Sequence, residues 1–148
     1  MSAETKTAIY TVLSSDSELT DLLATDENND PAIFNSNMNK LAIDRKAEDV
    51  PMPCVTYREG PGSADSRFRQ EAVDAETFDL EVWAKTESGL VVPAIGVRID
   101  ALLHNQVLTL SSGTNYDCVR ISQTPDLYDD KLNLHFGLYR YRLIVSRN

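Results

Sequence analysis

The feature that most constrains the fold is residues 77–84, where side-chain character alternates at every position. One side of this extended segment is apolar, and consists of Phe78, Leu80, Val82 and Ala84. A period of two over eight residues is typical of a β-strand with one buried face. Such a strand needs neighbouring strands and a covering layer, so an all-helical fold is excluded.

Two helical segments can supply that layer. In residues 2–24 apolar side chains recur at helical spacing, and Ser15 with Glu18 matches a capping box, which predicts a break and a restart. A second helix is predicted over residues 88–104, and Pro93 is compatible with it only in the first turn. Further strands are predicted at residues 32–34, 54–57, 107–110, 116–122 and 132–145.

This order of elements predicts an α+β domain spanning residues 1–148. We expect an antiparallel sheet with two main helices packed on one face, because tight turns separate most strands. Residues 35–50 and 126–131 are expected to be irregular. The change of apolar face after Gly137 predicts a bulge there.

A charged hairpin is expected to protrude from this domain. Residues 67–85 fit one long hairpin with its turn near Asp74 and Ala75. Arg67, Phe68 and Arg69 stand together in this otherwise polar arm. Arginine and aromatic side chains are enriched at protein interfaces, so these three residues are candidate contacts with a neighbouring subunit or the tube protein; the alternative is a solvated loop.

Charge is unevenly distributed along the chain. There are 14 basic and 23 acidic residues, a net charge of −9, which argues against a nucleic-acid-binding surface and an anionic membrane surface. Among the charged side chains, residues 16–30 contain only acids and residues 131–148 contain only bases. The runs are either solvated faces or complementary interface patches. The candidate interface residues in them are Asp16, Glu18, Asp21, Arg140 and Arg142.

No catalytic, cofactor or metal site is predicted. The two histidines, His104 and His135, have no neighbouring ligand at metal-binding spacing, and Cys54 and Cys118 lie 64 positions apart. No nucleophile, phosphate-binding or dinucleotide-binding motif occurs. The most apolar stretch, residues 90–97, is too short to cross a bilayer, and the start of the chain has no secretory signal pattern.

The whole chain resembles the tail terminator family of long-tailed bacteriophages, also called tail-to-head joining or tail completion proteins. The resemblance rests on the amphipathic N-terminal helix, the proline-led strand at residues 51–57, the strand at residues 78–84, the helix at residues 94–103 and the final strand at residues 138–145. Size and element order match over essentially all 148 residues.

The resemblance implies a non-enzymatic virion protein without cofactors. Such a protein forms a ring, typically hexameric, that caps the tail tube, ends its polymerisation and joins the tail to the head connector. Its partners would be copies of itself, the tail tube protein and the head-completion or connector protein. DNA would pass through an acidic lumen without binding, and no membrane is involved. It would be assembled in the host cytoplasm and located at the tail–neck junction.

Two alternatives stay open. The protein could be another neck or head-completion component, or a monomeric, non-enzymatic binding module. An enzyme with a site built from scattered residues is a third class. Mass measurements at low and high concentration separate a ring from both monomeric classes.

Overall fold

One mixed sheet organises the chain. The computed structural model describes residues 1–46, 49–60, 75–85 and 90–146. Its elements are α1 (Ala3–Ser14), α2 (Ser17–Thr20), β1 (Ile33–Asn35), α3 (Met38–Arg45), β2 (Cys54–Glu59), β3 (Ala75–Ala84), α4 (Val91–Leu103), β4 (Gln106–Thr109), β5 (Asn115–Asp129) and β6 (Leu134–Val145). The strand order is β1-β2-β3-β6-β5-β4. Neighbours pair antiparallel except β1 and β2, which are parallel. The predicted α+β class is confirmed, although the sheet is not wholly antiparallel.

Helices α1 and α4 cover the first face of the sheet and form the main core. Their buried side chains include Ile9, Leu13, Ile95 and Ile99. They belong to the same cluster as the alternating side chains of β3, namely Phe78, Leu80, Val82 and Ala84. The apolar alternation in the sequence therefore marks the face on which the two predicted helices pack.

Helix α4 lies close to β6 because a glycine stands at the contact. A Cβ atom added to Gly96 would lie 2.5 Å from Cζ of Tyr139, whose side chain is buried. One turn later the Tyr141 hydroxyl donates to Asp100 Oδ1 at 3.1 Å. Pro93 is the third residue of α4, so its place in the first turn is confirmed. No helix in the described ranges is long and apolar enough to cross a membrane.

The second face of the sheet is buried at one end, where the sequence predicted irregular chain. Helix α3 occupies part of residues 35–50, and the Asn37 side chain caps it by accepting from the Lys40 N–H at 2.9 Å. Met38 and Leu41 of α3 share a buried cluster with Trp83. The expectation of irregular structure was wrong because two apolar side chains and a cap suffice for a short helix that docks on a sheet.

Strand β6 continues through Gly137 without a bulge, contrary to the sequence prediction. Its pairing with β3 is unbroken from Ile144 to His135. Phe136 stacks on Trp83 of the second face at 4.4 Å, whereas Tyr139 belongs to the first-face core. The apolar set changes along β6 because both faces are buried, each over a different part of the strand. The irregularity lies in β5, between Thr124 and Leu127.

Strand β5 extends further than predicted, through Asp129. Its last three residues pair with β6 where a polar loop was expected. Strand β4 pairs only with the first four residues of β5. Beyond Cys118, the outer edge of β5 has no strand partner in the described part of the chain. Two register shifts and Pro125 interrupt this edge, and such interruptions discourage edge-to-edge pairing.

Two local predictions need correction. The break after α1 is confirmed, but Asp16, not Ser15, caps α2, because its Oδ2 accepts from the Leu19 N–H at 2.8 Å. Ala75, the expected hairpin turn, is already paired with Ile144 as the first residue of β3. The rest of the expected arm falls in residues 61–74, outside the described residues.

Candidate interaction surfaces

Helix α4 is apolar on the side that faces away from the sheet as well as on the buried side. Ala94, Val97 and Ala101 are exposed, and Leu90 precedes the first residue of the helix. The exposed fractions of Leu90 and Val97 are 78% and 72%. We call these four residues the α4 ridge. A row of apolar side chains in solvent is typical of a surface that meets another protein.

An acidic groove runs beside the α4 ridge, between α4 and α2. Its walls are formed by Ala94, Val97 and Ala101 of the ridge, the partly exposed Leu22, the carboxylates of Glu18 and Asp21, and the guanidinium-bearing side chain of Arg98. Asp21 is exposed and forms no ion pair with any described residue. The groove therefore combines apolar area with negative charge at its rim.

Asp16 and Glu18 meet Arg98 of α4 within the molecule. The Arg98 guanidinium holds both oxygens of Asp16, at 2.6 and 2.8 Å, and reaches Glu18 Oε2 at 3.2 Å. The hydrogen bond from Arg98 is the main reason why the pKa of Asp16 is lowered. Asp16 thus joins α2 to α4. Glu18 also contacts Arg98 but is exposed, and Asp21 is the acid of the groove that forms no ion pair with a described residue.

Arg140 also has a partner within the chain. Its Nε and Nη2 donate to the two Asp79 oxygens at 2.7 and 3.2 Å, across the β3–β6 pair. Asp79 is only 5% exposed. Arg140 therefore has an ion-pair partner on the adjacent strand that the sequence alone did not identify, and its role at an interface stays a prediction.

Arg142 is the arginine without such a partner. Five of the six arginines in the described ranges form ion pairs; Arg142 forms none with a described carboxylate and is exposed. It lies on the second face, opposite Val119 of β5. On the same face, Ile144 and Val107 are 40% and 56% exposed. We call Val107, Val119, Arg142 and Ile144 the Arg142 patch.

The remaining candidate contacts, Arg67, Phe68 and Arg69, lie outside the described residues. Among the described candidates, the structure brings Asp16 and Glu18 together with Arg98 and places Asp21 beside them. Arg140 and Arg142 both lie on the second face, but only Arg140 forms an ion pair with a described residue.

A half-buried carboxylate lies between the Arg142 patch and α3. Glu81 shares a small pocket with Arg58, Trp83 and Asn37, the cap of α3. Its Oε1 is 3.9 Å from Arg58 Nη2. Burial raises the pKa of Glu81, and the charge of Arg58 opposes that rise only in part. The folded protein therefore holds a proton on this carboxyl group more readily than the unfolded chain does.

Replacing Glu81 by glutamine is expected to stabilise the fold at neutral pH. Because the folded-state pKa is raised, the wild type loses stability as the pH rises above the ordinary glutamate value of 4.5. The variant lacks this loss, so urea midpoints should favour E81Q at pH 8 and converge with the wild type towards pH 4. Asp130→Asn, at an exposed position, is the control. A lower midpoint for E81Q at pH 8 would show that the Arg58 contact outweighs burial.

The thiols and histidines have structural positions. Cys54 and Cys118 are buried free thiols, and burial raises the pKa of Cys118 to about 12. His104 Nδ1 accepts from the Arg120 N–H at 3.0 Å, which ties the end of α4 to β5. The His135 ring lies 5.0 Å from that of Tyr128. No cluster of three or more metal-binding side chains occurs among the residues for which the structure gives positions.

The sequence analysis missed the α4 ridge, although its signal is present. Leu90, Ala94, Val97 and Ala101 follow the spacing i, i+4, i+7 and i+11, alongside the buried stripe of Ile95 and Ile99. Two apolar stripes on one helix predict two packing partners. The sequence interpretation assigned only the stripe that faces the sheet.

Exposed apolar rows with charged rims, carried on a sheet-and-helix scaffold, are typical of proteins that act through contacts with other proteins. The profile of the family described as tail completion protein gp17 matches residues 7–146. The chain belongs to this family, so it is a structural component of a phage-type tail.

A solved structure has the same fold. A chain in the virion of a native gene transfer agent particle superposes with a TM-score of 0.65 and 17% sequence identity, over 95% of this chain and 92% of that chain. A comparison with curated protein sequences finds no match. The resemblance to a tail completion family that the sequence indicated is therefore confirmed.

Proposed function

We propose that this protein forms a ring that caps the tail tube, ends its polymerisation and joins the tail to the head connector. The observation that carries the proposal is the α4 ridge, an exposed apolar helix face on a member of a tail completion family. A protein that assembles needs such surfaces, whereas an isolated soluble domain rarely exposes a continuous apolar row. The solved relative belongs to a virion particle, which supports a place in the tail.

The proposed assembly is a homohexamer at the tail–neck junction, put together in the host cytoplasm. Its neighbours are the tail tube protein and the head-completion or connector protein. The net charge of −9 suits a lumen through which DNA passes, because an acidic wall repels the phosphate backbone. Arg67, Phe68 and Arg69 remain proposed contacts within this assembly. We propose no catalytic role.

The length of tail tubes tests this function directly. Tail tube protein encoded with this chain is allowed to polymerise with and without the purified protein, and tubes are measured by electron microscopy. We expect shorter tubes that end in a ring of extra density when the protein is present. Mass measurement at about 1 and about 100 μM should show a monomer that converts to a closed oligomer as mass action favours assembly.

Two results would contradict the proposal. Tubes of unchanged length with rings at the connector would favour another neck component. A monomer at every concentration, with no effect on tubes, would favour a binding module. Albumin, added in an amount that supplies the same total negative charge, serves as the control for non-specific effects on polymerisation.

A further inference from the structure

We propose that the ring contact is formed between the α4 ridge of one copy and the Arg142 patch of the next. This inference rests on the proposed ring and specifies its contact surfaces. The occupant of the acidic groove and ridge is thus a second copy of this chain, and each copy contributes a different surface to each contact.

The first argument is the layering of the fold. Helix α4 already packs on its own sheet through Ile95 and Ile99, and presents Val97 to the other side. A helix that is apolar on two sides is stable when it lies between two layers. The described part of a single copy contains no such second layer, and a second molecule can supply it.

The second argument is the uncovered part of the sheet. On the second face, α3 covers the end with Trp83 and Leu134. Towards the other end, Val107 and Ile144 remain exposed on strands β4 and β6. On the first face of the same sheet, apolar side chains are covered by helix α4. A helix is therefore a suitable element to cover the exposed apolar side chains of the second face. The α4 ridge of a second copy has the matching apolar character.

The third argument is charge. Arg142 is exposed without an ion-pair partner in the described chain, and Asp21 with the exposed edge of Glu18 lines the groove beside the ridge. Opposite charges at the rims of two apolar surfaces fix their register. Asp117 lies on the same face as the Arg142 patch, opposite Ile144. The face therefore has a positive charge at Arg142 and a negative charge at Asp117, and this polarity selects one orientation of the second copy.

The fourth argument is geometry. The α4 ridge lies on the first side of the sheet and the Arg142 patch on the second, so the two surfaces of one copy point in opposite directions. Two different surfaces in contact make a heterologous interface, which repeats from copy to copy and closes into a ring when the rotation permits. A symmetric dimer cannot satisfy both surfaces at once.

Cysteine cross-linking tests this contact. The native thiols are buried, so cysteines introduced by Val97→Cys and Ile144→Cys should be the reactive ones under mild oxidation. We expect the double variant to give a ladder of covalent oligomers on a non-reducing gel. Each single variant should run as a monomer on the same gel. A heterologous contact brings position 97 of one copy next to position 144 of the next, and not next to position 97 of that copy.

Charge exchange supplies a second readout. Asp21→Arg or Arg142→Asp alone should raise the concentration needed for half-assembly at least tenfold, and the double exchange should recover most of that loss. Matched controls lie on α3, where Lys40→Asp changes an exposed cation and Ile43→Cys places a thiol at an exposed apolar position. We expect both controls to assemble as the wild type does.

The outcomes separate this inference from the proposed function. The contact would be overturned, and the ring left intact, if the wild type forms rings in micrographs but the double cysteine variant gives no ladder. The same conclusion would follow if both single charge variants assemble as the wild type does. A wild type that does not assemble, together with a Val97→Cys, Ile144→Cys double variant that gives no ladder, would overturn both. A covalent dimer from either single variant would indicate a symmetric contact and also refute the inference.

Discussion

Arg140→Glu is expected to lower the free energy of unfolding by about 3 kcal/mol, whereas Arg142→Glu should change it by less than about 0.5 kcal/mol. The two arginines are two positions apart on the same face of β6. Arg140 neutralises the buried Asp79 with two hydrogen bonds. Its replacement by an acid leaves that carboxylate unpaired and adds a like charge beside it. Arg142 forms no ion pair in the described chain.

Urea unfolding of the monomer at low concentration measures both effects. The double variant Asp79→Leu with Arg140→Met should recover much of the loss, because it removes the buried charge together with its partner. Equal midpoints for the two glutamate variants would show that the Asp79 pair is dispensable. The result also decides how assembly data are interpreted, since a charge reversal at Arg140 confounds loss of contact with loss of folding.

Gly96→Ala is expected to destabilise the protein by about 1–3 kcal/mol, although alanine is the better helix former. The new methyl group would overlap Tyr139, which is buried between α4 and the sheet. To accommodate it, α4 must move away from β6 and weaken its packing against Phe78 and Tyr141. The sign of the effect is therefore set by packing and not by helix propensity.

Thermal and urea unfolding of two further variants make this prediction specific. Tyr139→Phe removes the hydroxyl nearest the new methyl group, so the double variant should regain part of the lost stability. Ala101→Gly, at an exposed position of the same helix, should cost about 1 kcal/mol through propensity alone. A Gly96→Ala protein as stable as the wild type would mean that α4 and Tyr139 adjust freely.

The sequence predicted well those elements whose pattern is local. The alternation around Phe78 identified β3, and the spacing of Ile95 and Ile99 identified α4 with its buried side. Helix α3 was missed because only two of its apolar residues, Met38 and Leu41, are buried, and its stability depends on a surface formed by distant strands. A pattern of one buried face also cannot reveal that Trp83 on the other face is buried by α3.

The candidate contacts show the same division. Arg140 and Arg142 share one face of β6, but their ion-pair partners depend on strand register. Asp79 lies 61 positions from Arg140, and the β3–β6 pairing that joins them is set by the whole sheet. Asp16 likewise meets Arg98 across 82 positions. Charge runs in the sequence therefore indicated acids and bases without showing which of them are already neutralised.

The outer edge of β5, which has no strand partner in the described chain beyond Cys118, affects how readily the free protein aggregates. Open strand edges recruit strands from other molecules and lead to irreversible fibres. The register shifts and Pro125 along β5 deny a regular hydrogen-bonding ladder to an incoming chain. Association is thereby left to side chains on the faces of the molecule, which can part and rejoin until the correct geometry is reached.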